Sequence, residues 1–387
     1  MRATAPFLLF FLSGVLVTTA ATDATDPTTR PAAPVAPAPA VADHLLFVTT
    51  DGFRWQELFR GADEPLLAAK AGGVREAAGP LRERFVRPTP GEARAALLPF
   101  VWGTVAARGQ VIGNRDKNAP AAVANHRHFS YPGYSEFLTG IPDDQFKSND
   151  PVLNPHPNVL EVLSRRPGFE GRVAAFASWD VLHAILAADR NKLPVWTQKT
   201  RTPDPGPIRR DVERLIDTTP TPWPDETFDS FTFRCALEHL QTKKPRVLYV
   251  CFGDTDEWAH ARRYDNYLRS AANSDRFVAE LWAAAQAMPE YAGRTALVLT
   301  TDHGRGRTGG DWVSHSADVP GSDETWVALM GPGVPPLGER RDAPTVWTGQ
   351  VAATVAKLVG VDDYAAAVPG ALKPIDGVGA TAAAVGR

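Results

Sequence analysis

His44-Leu45-Leu46-Phe47-Val48-Thr49-Thr50 is a continuous apolar run that ends in threonines and passes at once into Asp51-Gly52. Continuous rather than alternating hydrophobicity means that both faces of the strand are buried, which is the pattern of a parallel sheet covered by helices. Similar runs recur at 172–177, 247–252, 295–300 and 325–330. Helical patterns lie between and after them: 179–189, 231–240 with Ser230 as its expected N-cap, 264–287, and 349–359 with Gly360 as the stop signal. Strands alternating with helices predict an α/β sandwich around a mostly parallel sheet.

In such sheets ligands bind beyond the carboxyl ends of the strands, so the residues that follow each run matter most. Asp51 follows the first run. Asp254 and Asp256 follow the run at 247–252, and Asp302-His303 follow the run at 295–300. Asp256-Glu257-Trp258-Ala259-His260 sets a carboxylate and an imidazole four residues apart, on one face of a helical turn. Alone, that spacing is equally a solvated helix face. His315 lies in the Gly-rich loop 304–316, as a solvated residue or as a further donor. Asp51, Asp256, His260, Asp302, His303 and His315 make a nitrogen and oxygen donor set without thiolate, which suits Zn²⁺ or Mn²⁺ better than a structural cysteine-type zinc site. Two such ions about 3.5–4 Å apart form a clamp for in-line displacement at phosphorus.

The stretch Phe129-Ser130-Tyr131-Pro132-Gly133 through Thr139-Gly140 predicts a hydroxyl at the N-terminal end of a short helix that Gly140 stops. Backbone N–H groups and the helix dipole favour an anion there. By itself, a serine beside a turn is a cap or turn residue. Beside a set of metal donors it becomes a nucleophile that a bound ion activates.

Taken in order, these motifs resemble the alkaline phosphatase superfamily, nearest its nucleotide pyrophosphatase/phosphodiesterase-like branch. The resemblance rests on Val48-Thr49-Thr50-Asp51-Gly52, the Ser130 stretch, Asp256-x-x-x-His260, Thr301-Asp302-His303-Gly304 and His315, and it spans Asp43 to about Gly360. It implies a three-layer sandwich. It also implies two divalent ions, one held by Asp256, His260 and His315, the other by Asp51, Asp302 and His303 with the Ser130 oxygen. The four-residue spacing to His260 favours Asp256 over Asp254. The branch places an Asn that donates to a phosphoryl oxygen; Asn149 is the first candidate and Asn154 the second, each otherwise a turn residue. Two departures stand out. The branch often carries Thr and then Phe-Pro-Asn where this chain has Ser130-Tyr131-Pro132-Gly133. The arginine that sulfatases need four residues past the modified residue is here Tyr134, which argues against a sulfatase. The resemblance implies a hydrolase of phosphate esters, phosphodiesterase or phosphomonoesterase, acting on a small-molecule substrate through a phospho-Ser130 intermediate. A phosphomutase, a phosphonate hydrolase, a lipid headgroup transferase and a non-catalytic metal-binding domain are the alternatives.

Other residues carry two readings each. Arg305 and Arg307 are phosphate clamps or solvated loop residues. His126 and His128 are loop residues or supports of the site. Tyr131, Tyr134 and Trp258 are walls of the site or packing. Cys235 and Cys251 are a disulfide or two buried thiols. The Pro-, Thr- and Asp-rich segment 201–228 reads as a surface excursion, and Trp196 has no assigned place relative to the site.

Composition bounds the rest. The 387 residues, 44% hydrophobic, suffice for one large domain or two ordinary ones, and a net charge of −3 without blocks of like charge gives no nucleic-acid footprint. Arg2, the apolar run 6–17 and the small residues Thr18-Thr19-Ala20-Ala21 predict a secretory signal over 1–21, with export to the periplasm or beyond. The apolar run is shorter than the ~20 residues a membrane span needs. A Thr/Ala/Pro-rich linker is expected over 22–42 and a catalytic domain over 43–387.

Overall fold

The computed structural model describes residues 41–75, 78–202 and 205–379. The expected signal segment, and all but the last two residues of the expected linker, lie outside the described residues. No helix among the described residues is long and apolar enough to cross a membrane.

The apolar runs form strands. In chain order these are β1 (His44–Thr50), β2 (Gly109–Ile112), β3 (Ala121–Ala122), β4 (Val173–Ala177), β5 (Val195–Trp196), β6 (Val247–Phe252), β7 (Thr295–Thr301), β8 (Glu324–Thr325), β9 (Val327–Met330), β10 (Gly338–Glu339) and β11 (Val346–Trp347). Eight of them make one sheet in the order β10-β2-β9-β7-β1-β6-β4-β5. From β7 to β5 all neighbours are parallel. β9 runs antiparallel to both β7 and β2, so the sheet is mixed. β3, β8 and β11 form a second, small sheet.

Every residue of β1, β6 and β7 is buried. Leu45 and Phe47 of β1 join one apolar cluster, and Leu46 and Val48 join the other. That alternation shows helices on both faces of the sheet, the three-layer arrangement. The Ser130–Thr139 and Gln350–Leu358 helices cover the first face, and the Asp229–Lys243 and Tyr264–Ala287 helices the second. Burying each large apolar side chain contributes roughly 1.5–3 kcal/mol.

Register is what makes the site. Thr50 pairs with Phe252 on one side and with Thr301 on the other. Asp51, Gly253 and Asp302 therefore leave the sheet at one level of its carboxyl edge.

Some expectations change in detail. The run 325–330 divides between two sheets at Trp326, whose indole N–H donates to Phe53 O at 2.9 Å. The helix expected over 179–189 is two short ones, Leu182–Ile185 and Ala188–Asn191. Ala187 between them is left-handed, with φ 49°, and Leu186 O accepts from the Asn158 and Asn191 amides instead of continuing the helix. The segment 201–228 holds the Pro207–Thr218 helix, whose first N–H groups donate to the Glu238 carboxylate. Its end is drawn inward: Glu226 and Thr227 are buried, and Glu226 bridges to Trp179. Cys235 and Cys251 are free and buried. They belong to clusters on opposite faces of the sheet, which leaves the two-thiol reading.

Candidate metal centre and nucleophile

Asp51, the first residue after β1, sits in a tight turn. Gly52 has φ 55°, and a methyl group there would meet Asp256 Oδ1, Arg305 Nη1 and His303 Cε1, so the turn needs glycine. Gly52 N–H donates to Asp302 Oδ1 at 2.9 Å, which ties the end of β1 to the end of β7. Thr255 Oγ donates to Asp51 O at 2.5 Å and ties in the end of β6.

Ser130 is the first residue of the Ser130–Thr139 helix, and Gly140 stops that helix with φ 81°. A methyl group at Gly133 would collide with Asp302 O, so this glycine lets the first turn of the helix lie directly on the end of β7. Ser130 Oγ is consequently 3.4 Å from His303 Nε2. Asn149 Oδ1 accepts the Tyr131 N–H at 2.9 Å, one residue beyond Ser130. Asn154 instead donates to Ser135 Oγ at 2.9 Å from a fully buried position.

The donor atoms fall into two groups that share His303: Asp51, Asp302 and His303, and Asp256, His303 and His315. In the first, His303 Nε2 lies 3.3 Å from Asp51 Oδ1, 3.3 Å from Asp302 Oδ2 and 3.4 Å from Ser130 Oγ. Tetrahedral ligand bonds of about 2.0–2.1 Å set donor atoms about 3.3–3.4 Å apart. His303 Nδ1 bonds Gly304 O at 2.8 Å, which turns Nε2 toward the group. Asp51 Oδ1 and Asp302 Oδ2 are buried and have no hydrogen-bond partner. These residues fit a divalent cation.

Electrostatics agree. Burial first, and then the neighbouring Asp51 charge, pushes the Asp302 carboxyl well above the usual range. Burial and then Asp256 raise Asp51. Burial disfavours a charged His303, but Asp302 and Asp51 outweigh it and raise the ring to about 9.

The second group is arranged differently. His260 Nε2 is 2.9 Å from Asp256 Oδ2 and 2.9 Å from His315 Nε2. His315 Nδ1 bonds His128 O at 3.2 Å, and its ring stacks on His303 with centroids 4.0 Å apart. Arg305 Nη1 bonds Asp256 Oδ1. Burial works against the Asp256 charge, but Arg305 and then His260 hold the carboxyl well below its usual range. Asp254, the alternative to Asp256, points elsewhere: its Oδ1 accepts the Asp229 N–H at 3.1 Å.

Arg305 was open to two readings, a phosphate clamp or a solvated loop residue. It is not solvated, being fully buried against Asp256. Its place two residues past His303, in a Gly-rich loop, carries no signal of that contact. Arg307 pairs with Glu324 and is half-exposed. His126 bonds Asp144 at the surface. His128 supports His315 through its carbonyl. Tyr131 and Tyr134 are packed in the core, Tyr134 against Cys251, and Trp258 packs edge-on against Trp223. Trp196 is buried at β5, its indole N–H on Glu213.

No protein-family model matches the chain, and no curated protein matches it in sequence. Solved structures do match in shape. Wild-type alkaline phosphatase PafA is similar at a TM-score of 0.56 and 11% identity, over 88% of this chain and 99% of that one. A putative sulfatase from Bacteroides thetaiotaomicron scores 0.49 at 13% identity, over 83% of this chain and 71% of that one. The lipoteichoic acid synthase LtaP from Listeria monocytogenes scores 0.47 at 11% identity, over 84% and 73%. The mixed, mostly parallel sheet between two helical layers, matched by PafA along nearly all of that protein's length, gives the chain the fold of that alkaline phosphatase.

Proposed function

We propose that the chain is an exported, metal-dependent hydrolase of phosphate esters that uses Ser130 as its nucleophile. One observation carries this reading: Ser130 Oγ stands beside His303 Nε2, at a centre where Asp51 Oδ1 and Asp302 Oδ2 are buried without a hydrogen bond. The two oxygens share the single His303 ring, 3.3 Å from each, and a divalent cation would satisfy both at once. Asp51, Asp302, His303 and Ser130 would hold the ion, with Zn²⁺ the best match to these donors and Mn²⁺ the next. A second ion, were one bound, would fall to Asp256, His260 and His315. A divalent ion supplies Lewis acidity, which lowers the pKa of the serine hydroxyl and polarises the phosphoryl oxygen.

The chain's own residues do the rest. Ser130 Oγ forms the bond to phosphorus while the bond to the ester oxygen breaks, leaving phosphoserine and a free alcohol. Water then attacks the phosphoserine, releasing phosphate, or the remaining monoester, and restoring the hydroxyl. The helix N-terminus favours the negative charge of the transferring group. Asn149 Nδ2 donates to a phosphoryl oxygen as charge builds there, while its Oδ1 stays fixed on Tyr131.

The test is metal content together with turnover of an aryl phosphate monoester, an aryl phosphate diester and an aryl sulfate, with Zn²⁺ or Mn²⁺ added. Turnover of either phosphate ester, lost in Ser130→Ala, is the expected result. Full activity in Ser130→Ala, or turnover of the sulfate alone, overturns the reading. A metal-loaded protein without turnover across the panel would make it a binding domain.

A further inference from the structure

The two donor groups do not stand in the same state. In the Asp51 group Asp51 Oδ1 and Asp302 Oδ2 make no hydrogen bond and share the His303 ring, whose Nε2 is 3.3 Å from each. In the Asp256 group a permanent cation is already present, because Arg305 bonds both Asp256 Oδ1 and His260 Nδ1. Its side chain is fully buried. Nε donates to Trp312 O at 3.1 Å, Nη2 donates to Val313 O at 2.6 Å and to His260 Nδ1 at 3.3 Å, and Nη1 donates to Asp256 Oδ1. The two carbonyls belong to the loop that carries His315, so the guanidinium is anchored to that loop while it holds the metal donors.

A guanidinium has donors only and keeps its charge. His260 Nδ1 must therefore be an acceptor, and a neutral His260 carries its proton on Nε2. That N–H faces Asp256 Oδ2 and His315 Nε2, each at 2.9 Å. His315 bonds the His128 carbonyl through Nδ1, which leaves its Nε2 lone pair to accept. The circuit closes: Arg305 to His260, then His260 to Asp256 and His315. A nitrogen that carries a proton is not a metal ligand. Binding a second ion here would require His260 to give up the Arg305 contact, or to become an imidazolate, beside a buried positive charge.

We propose that Arg305 is a built-in cation that stands in for the second ion. The folded chain holds one divalent ion, at Asp51, Asp302 and His303, and Arg305 neutralises Asp256 and fixes His260 as an N–H donor. Arg305 is a positioning residue, acting through Asp256 and His260. The proposal rests on the metal-centred reading of the site, which it makes more specific.

The experiment equilibrates the full-length protein with Zn²⁺, removes loose metal by gel filtration and measures bound zinc per chain by mass spectrometry. Wild type is expected to retain one ion and Arg305→Met two, with the second lost again in Arg305→Met/His260→Ala. Arg305→Lys should return to one, because an ammonium restores the charge. The zinc-loaded wild type also tests the proposal without any substitution: nitrogen NMR should show His260 protonated on Nε2. Two retained ions in wild type, or His260 bound to zinc through Nε2, overturn the proposal and leave the metal-centred reading standing. A wild type that retains no zinc overturns both.

Discussion

On the β1 and β7 side of His303, Asp51 Oδ1 and Asp302 Oδ2 are buried without a hydrogen bond and share the His303 ring, and Ser130 Oγ is 3.4 Å from it. On the β6 side, Asp256 has one oxygen on Arg305 and the other on His260. The residue types are the same, carboxylate and imidazole, and the two groups touch through the stacked rings of His303 and His315. What separates them is one buried guanidinium. Two buried carboxylates that share one imidazole still call for a cation from outside, whereas one held by a guanidinium is already neutralised. A donor set read from residue types alone therefore does not say which of its atoms are already taken.

The widest split between the two sides is expected in rate. Ser130→Ala and Asp302→Ala should each lower kcat/KM for the preferred phosphate ester by at least about 10³-fold, since each removes a central part of the chemistry. His260→Ala should cost about 10–10²-fold and leave bound zinc unchanged, as loss of a positioned donor does. If His260→Ala loses zinc along with activity, the distinction between the sides collapses. Asn149→Ala tests the proposed donor to the phosphoryl oxygen, with an expected drop of about 10²-fold in kcat. A change in KM alone would reduce Asn149 to a substrate contact.

Gly52 lies where the two sides meet. Gly52→Ala forces a side chain into a φ of 55° and toward Asp256, Arg305 and His303 together. Urea unfolding should show a loss of about 1–3 kcal/mol from that strain. Unchanged stability would mean that the two groups can move apart.

The smallest effect, taken per pH unit, concerns protons. With His303 raised from 6.5 to about 9 in the metal-free chain, its charge stabilises the fold fully below about 6.5, and that contribution is lost as pH rises through about 9. An ion at Nε2 must displace the same proton. Zinc affinity should then weaken by up to about tenfold for each pH unit below about 9. Burial, and then His303, hold His315 neutral, so the second ion admitted by Arg305→Met should depend less on pH through that ring. Calorimetric titrations across this range check both slopes.

How much of this could be read in advance differs from residue to residue. Asp51 and Asp302 were legible because an apolar run followed at once by a carboxylate places that group at a strand end. Ser130 was legible as the start of a helix from its neighbours, Pro132-Gly133 and Gly140. His315 stood out only through the order of motifs, since its own loop has no periodicity; its stacking on His303 is a tertiary fact. The run 325–330 looked like one strand because hydrophobicity is blind to which sheet each half joins. The segment 201–228 looked like a loop because its composition hides a helix capped by Glu238.

By itself the sequence determined the doubly covered sheet and the carboxylates along its edge, because strand burial and strand-end chemistry are local patterns. Only the tertiary structure decided how those carboxylates are paired. Arg305 and Asp256 are 49 residues apart. Their contact depends on how the loop after β7 folds over the helix after β6, which no local pattern encodes.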